Sequence, residues 1–231
     1  MRLGILGSGD VGKALARGFV SRNHEVAIGS RTPGKLSDFA GEQQGRLRAA
    51  TFAEAAAFGK LVVLAVEFAH AMDAIDLAGD SNLEGKTVMD VTNPLKFEEG
   101  KLPSLSIGLN DSAGETIQRR LPRAKVVKAF NIIGNADMVD PRFEGGPPTM
   151  FICGNDEGAK KTVAAIVESF GWKNEVIDVG GIEESRYLEP LCMLWVHYAI
   201  RFSSRHHGFK LLRGDELTMT SSRGAGRYFS D

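Results

Sequence analysis

The sequence predicts an α/β fold: a doubly wound parallel sheet with a small C-terminal α/β unit. Short apolar runs alternate with helical patterns along most of the chain, which is typical of a parallel sheet that helices cover on both faces. The first apolar run, Leu3 to Leu6, continues directly into Gly7-Ser8-Gly9-Asp10-Val11-Gly12. A Gly-x-Gly-x-x-Gly pattern between a strand and a helix is typical of a Rossmann dinucleotide-binding domain.

Each glycine of this motif has its own physical role. Gly7 allows a tight turn out of the strand, Gly9 lets the backbone approach a pyrophosphate, and Gly12 allows the helix to pack closely on the sheet. The helix that begins near Val11 offers free N–H groups and a positive dipole end to the phosphates. We therefore expect a dinucleotide to bind along residues 7–12. A structural turn without a ligand is the alternative.

The second strand, 24–28, ends in Gly29-Ser30-Arg31. NAD-binding domains usually carry an Asp or Glu there, which bonds the ribose 2′-hydroxyl. A hydroxyl and a guanidinium instead favour a 2′-phosphate, through charge-assisted hydrogen bonds, and Lys35 adds a further positive charge. The predicted cofactor is therefore NADP, bound through Ser30, Arg31 and Lys35. The alternative is that these cations are ordinary solvated loop charges.

The remaining elements of the first unit follow from the same patterns. Thr51 and Glu54 have the capping-box spacing at the start of an alanine-rich helix. Ligands of open α/β sheets bind at the carboxyl ends of the strands, so the loop 67–70 is expected to border the cofactor. The other predicted elements are a helix near 35–40, strands at 46–50, 61–66, 87–91 and 125–130, helices near 71–77 and 113–121, and a long polar loop at 96–111.

Composition divides the chain into three parts. We predict an NADP-binding domain over 1–141, a small C-terminal α/β unit over 142–213 and a polar, partly disordered tail over 214–231. Glycine and proline at 144–148 mark the loop between the two units. Within the small unit, the predicted elements are a strand at 149–153, a helix at 156–170, a strand at 175–179 and a long helix at 183–203.

Composition and charge exclude several classes of protein. The 231 residues are 43% hydrophobic and 25% charged, which is ordinary for a globular protein. A formal net charge of −1 argues against nucleic acid or an acidic membrane surface as partner. The longest apolar stretch, 188–200, is too short and too polar to span a bilayer. A motif that begins at residue 3 leaves no room for a signal peptide. Cys153 and Cys192 are typical of buried, reduced thiols. For both reasons we expect a cytoplasmic protein.

An ordered set of short motifs resembles the NADPH-dependent reductases of the 8-hydroxy-5-deazaflavin coenzyme (factor 420). The related cytosolic domain of the STEAP metalloreductases is similar too, and the resemblance covers about residues 1–213. The motifs that carry it are Gly7 to Gly12, Ile28-Gly29-Ser30-Arg31, Val63-Leu64-Ala65-Val66 with His70, Asp90-Val91-Thr92-Asn93-Pro94-Leu95, Val127-Lys128-Ala129-Phe130-Asn131, Asp178-Val179-Gly180 with Arg186, Leu188 and Glu189, and Gly208-Phe209-Lys210-Leu211-Leu212.

The resemblance implies where the rest of the cofactor lies. The nicotinamide is expected at the loops that follow three strands, where the contacting residues are Ala65, Val66, Asn93, Phe130 and Asn131. The family also implies a flat deazaflavin or flavin ring, such as FMN or FAD, as co-substrate, and a homodimer. This chain departs from the family at Glu67, where proline is usual. That carboxylate makes the surroundings of the acceptor more acidic and leaves the second substrate open.

Three residues are candidates for a catalytic role. Hydride transfer between two aromatic cofactors needs little acid–base help, because the protein mainly aligns the reacting carbons and excludes water. His70 is a candidate to orient a ligand or to donate a proton, and Asn93 and Asn131 are candidates to bond a carboxamide or a ring edge. A packed histidine at a helix terminus, and turn residues such as an Asn before Pro94, are the structural alternatives.

The remaining histidines and aromatic residues indicate packing. His206 and His207 have no cysteine or carboxylate partners at ligand spacing, so no metal site is predicted and both are expected to be exposed loop residues. Trp195, Tyr198 and Phe202 have helical spacing, which favours packing in the core or at a dimer interface over an aromatic cofactor site.

Two other functions stay open at this point. A dehydrogenase of small carbonyls, hydroxyacids or imines would need a proton donor and usually a larger helical substrate domain. A non-enzymatic NADPH sensor would close the space over the nicotinamide with bulky side chains such as Phe68, Leu95 or Ile132, and the fold alone does not distinguish it from an enzyme.

Overall fold

The computed structural model describes residues 1–43 and 45–213. The strands in this part are β1 (Arg2–Leu6), β2 (Glu25–Gly29), β3 (Leu47–Ala50), β4 (Leu61–Leu64), β5 (Thr87–Asp90), β6 (Leu95–Lys96), β7 (Ser104–Leu105), β8 (Lys125–Lys128), β9 (Met150–Gly154) and β10 (Val176–Asp178). Eight of them form one sheet in the order β10-β9-β8-β5-β4-β1-β2-β3. Neighbours in this sheet are parallel except β8 and β9, where Val127 pairs with Gly154 in antiparallel register.

Helices cover both faces of the sheet. They are α1 (Asp10–Ser21), α2 (Ser37–Gly41), α3 (Phe52–Phe58), α4 (Ala71–Ala78), α5 (Asp80–Leu83), α6 (Ala113–Arg120), α7 (Glu157–Ser169) and α8 (Ser185–Phe202). Leu15 and Phe19 of α1 and Val163 of α7 belong to one buried cluster. Ala55 of α3, Ile75 of α4 and Ile117 of α6 belong to a second. This arrangement confirms the doubly wound α/β fold.

The start of α3 shows how local sequence sets an element boundary. Glu54 N donates to Thr51 Oγ1 over 3.2 Å, and Thr51 N donates to Glu54 Oε2 over 2.8 Å. Both halves of the predicted capping box are therefore present.

Two central strands end two residues earlier than their apolar runs. The prediction of 61–66 is corrected to Leu61–Leu64, and that of 125–130 to Lys125–Lys128. Ala65 N still donates to Leu6 O over 2.8 Å, but beyond it the chain turns out of the sheet. At the equivalent place after β8, Phe130 adopts a φ of 57°, which ends a strand. Apolar loops at the carboxyl edge of a sheet look like strand in sequence because they too are partly buried.

The strands of the C-terminal unit extend the main sheet. β9 lies beside β8, and β10 pairs with β9 in parallel. Phe130 of the first unit packs against Phe170 and Trp172 of the second, with ring centroids 6.0 and 6.3 Å apart. The two units thus share one sheet and one buried cluster, and the proposed division at residue 141 stays a prediction.

Two segments differ from the sequence-based expectation. The long polar loop at 96–111 is part of a small hairpin, in which Leu95 pairs with Leu105 and Lys96 with Ser104. The predicted helix near 35–40 is present, but it begins as a 3₁₀ turn, Pro33–Leu36, and continues as α2; Pro33 occupies the first position of the turn, where a missing N–H costs nothing. The predicted tail, 214–231, lies outside the described residues. Within them, no helix is long and apolar enough to cross a membrane.

The segment after α8 folds back onto the domain, and its histidines are packed. The side chain of His206 is 61% exposed, as expected, but its Nδ1 lies 2.9 Å from Asp137 Oδ1 and its ring stacks on Phe143. His207 is half-buried and stacks on Trp195, with ring centroids 4.4 Å apart. The expectation that both histidines are exposed loop residues is therefore corrected for His207, which is half-buried.

Candidate active site

A cavity of about 770 Å³ lies at the carboxyl ends of β1, β2, β4 and β5. Its size is in the range of small-molecule and cofactor sites. Four loops contribute to its wall, and their lining residues are Gly7 to Val11 after β1, Ser30 to Thr32 and Lys35 after β2, Ala65 to His70 after β4, and Val91 to Asn93 after β5.

The glycine loop after β1 has the geometry of a phosphate cradle. Gly7 has a φ of 129°, and a Cβ there would collide with Ala65 O. A Cβ on Gly12 would collide with Gly7 O, so the close approach of α1 to the sheet requires glycine. At Gly9, by contrast, a Cβ would meet no heavy atom within 4 Å, which leaves the space beside the backbone open to a ligand. These three environments match the roles of the fingerprint glycines.

The N-terminus of α1 faces the same space. Gly9 is its N-cap and provides no side-chain hydrogen bond, so the first N–H groups of the helix keep their capacity for an anion. Gly9 and Val11 line the cavity, whereas Gly12 does not, because it packs against the turn behind. The residues present therefore fit a pyrophosphate.

The loop after β2 supplies two cations to the wall. Thr32 N donates to Ser30 Oγ over 3.1 Å, which fixes the Ser30 hydroxyl beside Arg31. The 3₁₀ turn Pro33–Leu36 brings Lys35 to the same wall. Within residues 1–43 and 45–213, neither Arg31 nor Lys35 forms a salt bridge. Two cations and a hydroxyl form a donor set suited to a phosphate.

The loop after β4 gives the opposite side of the cavity an acidic character. Glu67 is exposed, lines the cavity and precedes the 3₁₀ turn Phe68–His70. His70 is exposed at the N-cap of α4 and lines the cavity too, and Asp73 adds a second carboxylate. His70 is thus available to a ligand and is not a packed core residue.

The two candidate asparagines form one unit. Asn93 lines the cavity, and its Nδ2 donates to Asn131 O over 2.7 Å. Asn131 Nδ2 donates to Asn93 Oδ1 and to Leu188 O, each over 3.0 Å. Since Asn131 is only 3% exposed, Asn93 is the member that faces a ligand and Asn131 supports it from behind.

The side chain of Phe130 does not line this cavity. It is 1% exposed and packs in the core against Phe170 and Trp172. The positive φ of Phe130 turns the chain at this point. The family resemblance implies that Phe130 contacts the cofactor; this contact stays a prediction, and the buried side chain is not among the residues that line the cavity.

A buried ionic cluster lies behind the wall formed by Thr92 and Asn93. Lys128 Nζ lies 2.7 Å from Asp90 Oδ2 and 2.9 Å from Glu189 Oε1, and the three side chains are at most 1% exposed. Burial opposes the charged form of Lys128, but the two carboxylates outweigh it and raise the pKa of the ammonium. Sequence analysis named Asp90, Lys128 and Glu189 only as residues of the family motifs and did not predict that they meet; a further signal is a charged residue within each of the apolar runs 126–130 and 88–91.

Other wall residues were also missed by sequence analysis. Phe97, on the hairpin, is 66% exposed at the rim of the cavity, and Asn135 lines it from the 3₁₀ turn after β8. Phe68 and Leu95 line the cavity without filling it, and Ile132 does not line it. The bulky side chains that would close the site in a sensor therefore do not block the cavity.

Both cysteines are buried and free, as expected. Burial raises the thiol pKa of Cys153 to about 11 and that of Cys192 to about 12. Neither is a thiolate near neutral pH, so neither is suited to nucleophilic chemistry.

The chain is similar to known NADP-linked reductases. Residues 2–94 match the sequence profile of the family described as "NADP oxidoreductase coenzyme F420-dependent". A putative F420-dependent NADP reductase from Arthrobacter sp., solved by crystallography, is 38% identical and superposes with a TM-score of 0.87, over 92% of this chain and 100% of that one.

Curated relatives agree with this match. The F420-dependent NADP reductase of Methanocaldococcus jannaschii is 29% identical over 91% of this chain and 98% of that protein. The metalloreductase STEAP3 of Rattus norvegicus is 30% identical over 82% of this chain, which spans 36% of that longer protein. The chain is an NADP-dependent oxidoreductase and belongs to the family of coenzyme F420-dependent NADP oxidoreductases.

Proposed function

We propose that this oxidoreductase transfers hydride between NADP and a flat aromatic acceptor, with the deazaflavin coenzyme as its first candidate and FMN or FAD as alternatives. One observation carries the proposal: a single cavity joins a phosphate cradle and the cations Arg31 and Lys35 to an apolar rim formed by Phe68, Leu95 and Phe97. An extended dinucleotide and a ring stacked on it need such a combination of surfaces.

The residues of the cavity divide into three proposed roles. Gly7, Ser8, Gly9, Asp10, Val11 and Gly12 shape the pyrophosphate cradle, with Gly12 acting through helix packing. Ser30, Arg31 and Lys35 bind the 2′-phosphate and so select NADP over NAD. Ala65, Val66 and Asn93 border the nicotinamide, and Asn131 holds the Asn93 amide.

The bound NADPH supplies a hydride from its nicotinamide ring. Oxidation of one NADPH gives two electrons and one proton to the acceptor as hydride, and the acceptor takes its second proton from water or from His70. The chain itself therefore has to align the two rings and exclude water. No obligatory acid–base pair is required for this reaction.

Glu67 tunes the choice of acceptor in this proposal. Its carboxylate lies on the wall beside the expected nicotinamide, where it repels negative charge that develops on a reduced ring. Acceptors whose reduced form is neutral are therefore favoured. Glu67→Pro, which restores the residue usual in the family, is expected to change the relative rates with different acceptors.

A homodimer is the proposed assembly. Leu194, Tyr198 and Phe202 lie on α8 and are 55, 43 and 62% exposed. Such an apolar helix face is unfavourable in water and suits contact with a second copy of the same helix.

Oxidation of NADPH by the purified protein, with the deazaflavin coenzyme, FMN and FAD offered separately, tests the proposed reaction. Fast turnover with one of them is the expected result. Tight NADPH binding without turnover on any of the three contradicts it, and a panel of small carbonyls and imines then separates a dehydrogenase from a sensor.

A further inference from the structure

Lys128 is a fully buried charge that the proposed reaction does not use directly. It ends β8, and its ammonium donates to Thr92 O over 2.9 Å in addition to its two ion pairs. Asp90, at the end of β5, accepts a 2.8 Å hydrogen bond from Thr92 N through Oδ1. The Lys128–Asp90 ion pair thus holds both backbone polar groups of Thr92.

Thr92 and the residue after it form part of the cavity wall. Both Thr92 and Asn93 line the cavity, whereas Lys128, Asp90 and Glu189 do not. Thr92 is itself only 2% exposed. The ionic cluster therefore acts on the cavity through the backbone of one short segment.

Glu189 connects this segment to α8. Its carboxylate pairs with Lys128 and accepts hydrogen bonds from Ala113 N and Gly114 N, over 2.9 and 3.0 Å, at the N-terminus of α6. The adjacent Leu188 O accepts from Asn131 Nδ2, the amide that holds Asn93. Two consecutive residues of α8, Leu188 and Glu189, therefore hold Asn131 and Lys128, the two residues that support the Thr92–Asn93 segment.

Stability alone is a weak explanation for this cluster. Removing three charges from water is costly, and apolar side chains of similar volume often replace a buried ion pair at no loss of stability. Each ion pair and hydrogen bond here is directional, so the cluster fixes backbone geometry more tightly than apolar packing does. Because the cluster lies directly behind the cavity wall, its rigidity keeps the wall residues in a fixed geometry for a ligand.

We infer that Lys128 is a positioning residue, which together with Asp90 and Glu189 holds the Thr92–Asn93 segment in the geometry that the nicotinamide ring requires. The inference rests on the proposed function, in which this segment borders the nicotinamide. It assigns no contact with substrate to Lys128 itself.

The test compares two ligands on the Lys128→Met variant. One is NADPH, and the other is 2′-phospho-ADP-ribose, which lacks the nicotinamide ring and binds through the cradle and the cations. Titration calorimetry gives both Kd values, and their ratio reports the nicotinamide half alone. In Lys128→Met we expect the Kd of 2′-phospho-ADP-ribose to stay at the wild-type value. The ratio of this Kd to the Kd of NADPH, and the kcat, should each fall by about ten- to hundredfold.

Lys160 provides a matched control. It also joins two carboxylates, Glu157 and Asp178, over 2.8 and 2.7 Å, and its side chain is 7% exposed, but it does not line or back the cavity. Lys160→Met is expected to lower thermal stability and to leave the affinity ratio unchanged. A purely structural role for Lys128 would leave the affinity ratio at the wild-type value in both variants.

Glu189→Gln keeps the inference testable if Lys128→Met does not fold. It retains side-chain volume and one acceptor oxygen, and it should shift the ratio in the same direction by a smaller factor. A folded variant with the wild-type ratio and kcat overturns the inference and leaves the proposed function standing. If the wild-type protein oxidises NADPH with none of the acceptors, the proposed function fails, and the affinity ratio still decides the role of Lys128.

Discussion

The side chains of Asn93 and Asn131 are hydrogen-bonded to each other across the carboxyl ends of β5 and β8. Asn131 Nδ2 donates to Asn93 Oδ1, and Asn93 Nδ2 donates back to the main-chain oxygen of Asn131. This reciprocal pairing gives the Asn93 amide a fixed orientation in the cavity wall. A ligand that meets Asn93 therefore meets a preorganised polar group.

Asn131→Ala should reduce both stability and turnover. It removes the side-chain donor to Asn93 Oδ1 and to Leu188 O, and each hydrogen bond of this kind contributes about 0.5–1.5 kcal/mol. Urea denaturation should show a lower free energy of unfolding, and kcat for NADPH oxidation should fall. Asn110→Ala, at an exposed loop position, is the control and should change neither. Wild-type stability and rate in Asn131→Ala would show that the pairing is dispensable.

Arg31→Ala should weaken NADPH binding far more than NADH binding. A charge-assisted hydrogen bond to a phosphate contributes about 1.5–3 kcal/mol, or roughly ten- to hundredfold in Kd. NADH has no 2′-phosphate, so its Kd should stay nearly constant. Fluorescence titration with both nucleotides measures this difference, with Lys173→Ala at an exposed site as the control. An equal rise in Kd for both nucleotides would contradict the assignment of the 2′-phosphate site.

Gly9→Ala should impair cofactor binding without affecting folding. The new methyl group meets no protein atom, and Gly9 has a φ of −74°, which alanine adopts without strain. It would instead occupy the space expected for the pyrophosphate. Gly41→Ala is the matched control, because its Cβ also meets nothing within 4 Å and it lies on α2. We expect similar Tm values for both variants and a large rise in the NADPH Kd for Gly9→Ala alone; a Gly9→Ala protein that binds NADPH normally would place the phosphates elsewhere.

The two thiols should resist modification in the folded protein. The thiolate is the reactive form, and it becomes populated only as the pH rises towards the pKa, which is about 11 for Cys153 and about 12 for Cys192. At pH 8, a disulfide reagent such as DTNB should react with both only after denaturant is added. Rapid labelling of the native protein would contradict the buried positions of these side chains.

Tyr198→Glu should dissociate the proposed dimer. It places a charge on the exposed apolar face of α8, and burying an unpaired charge at an interface is strongly unfavourable. Sedimentation velocity should show a dimer for the wild-type protein and a monomer for the variant. Glu168→Gln, on the exposed side of α7, should remain dimeric. A monomeric wild-type protein would rule out this assembly.

Local features of the fold were predictable from the sequence, and long-range pairings were not. The roles of Gly7, Gly9 and Gly12 depend on a strand, a turn and a helix that adjoin in the chain, and the capping box of Thr51 and Glu54 spans one helical turn. Lys128 meets Glu189 through the packing of α8 against the sheet, which no local pattern specifies. A lone charge in an apolar run indicates a buried partner without saying which residue provides it.

The side chain of Phe130 illustrates the same limit at the site. The family resemblance implies that Phe130 contacts the cofactor, but its φ is positive and its ring is buried in the core. Backbone conformation at a single loop residue decides the direction of a side chain, and a non-glycine residue in the left-handed region is uncommon.

Stereospecific isotope transfer tests the central claim most directly. NADPH deuterated at C4 in either the R or the S position is mixed with the protein and the oxidised deazaflavin coenzyme, and the reduced coenzyme is analysed by mass spectrometry. Direct hydride transfer predicts that one of the two labelled cofactors, and not the other, delivers deuterium to the acceptor carbon. Reduced coenzyme without deuterium from either cofactor would contradict direct hydride transfer, and no reduction at all would rule out the deazaflavin coenzyme as the acceptor.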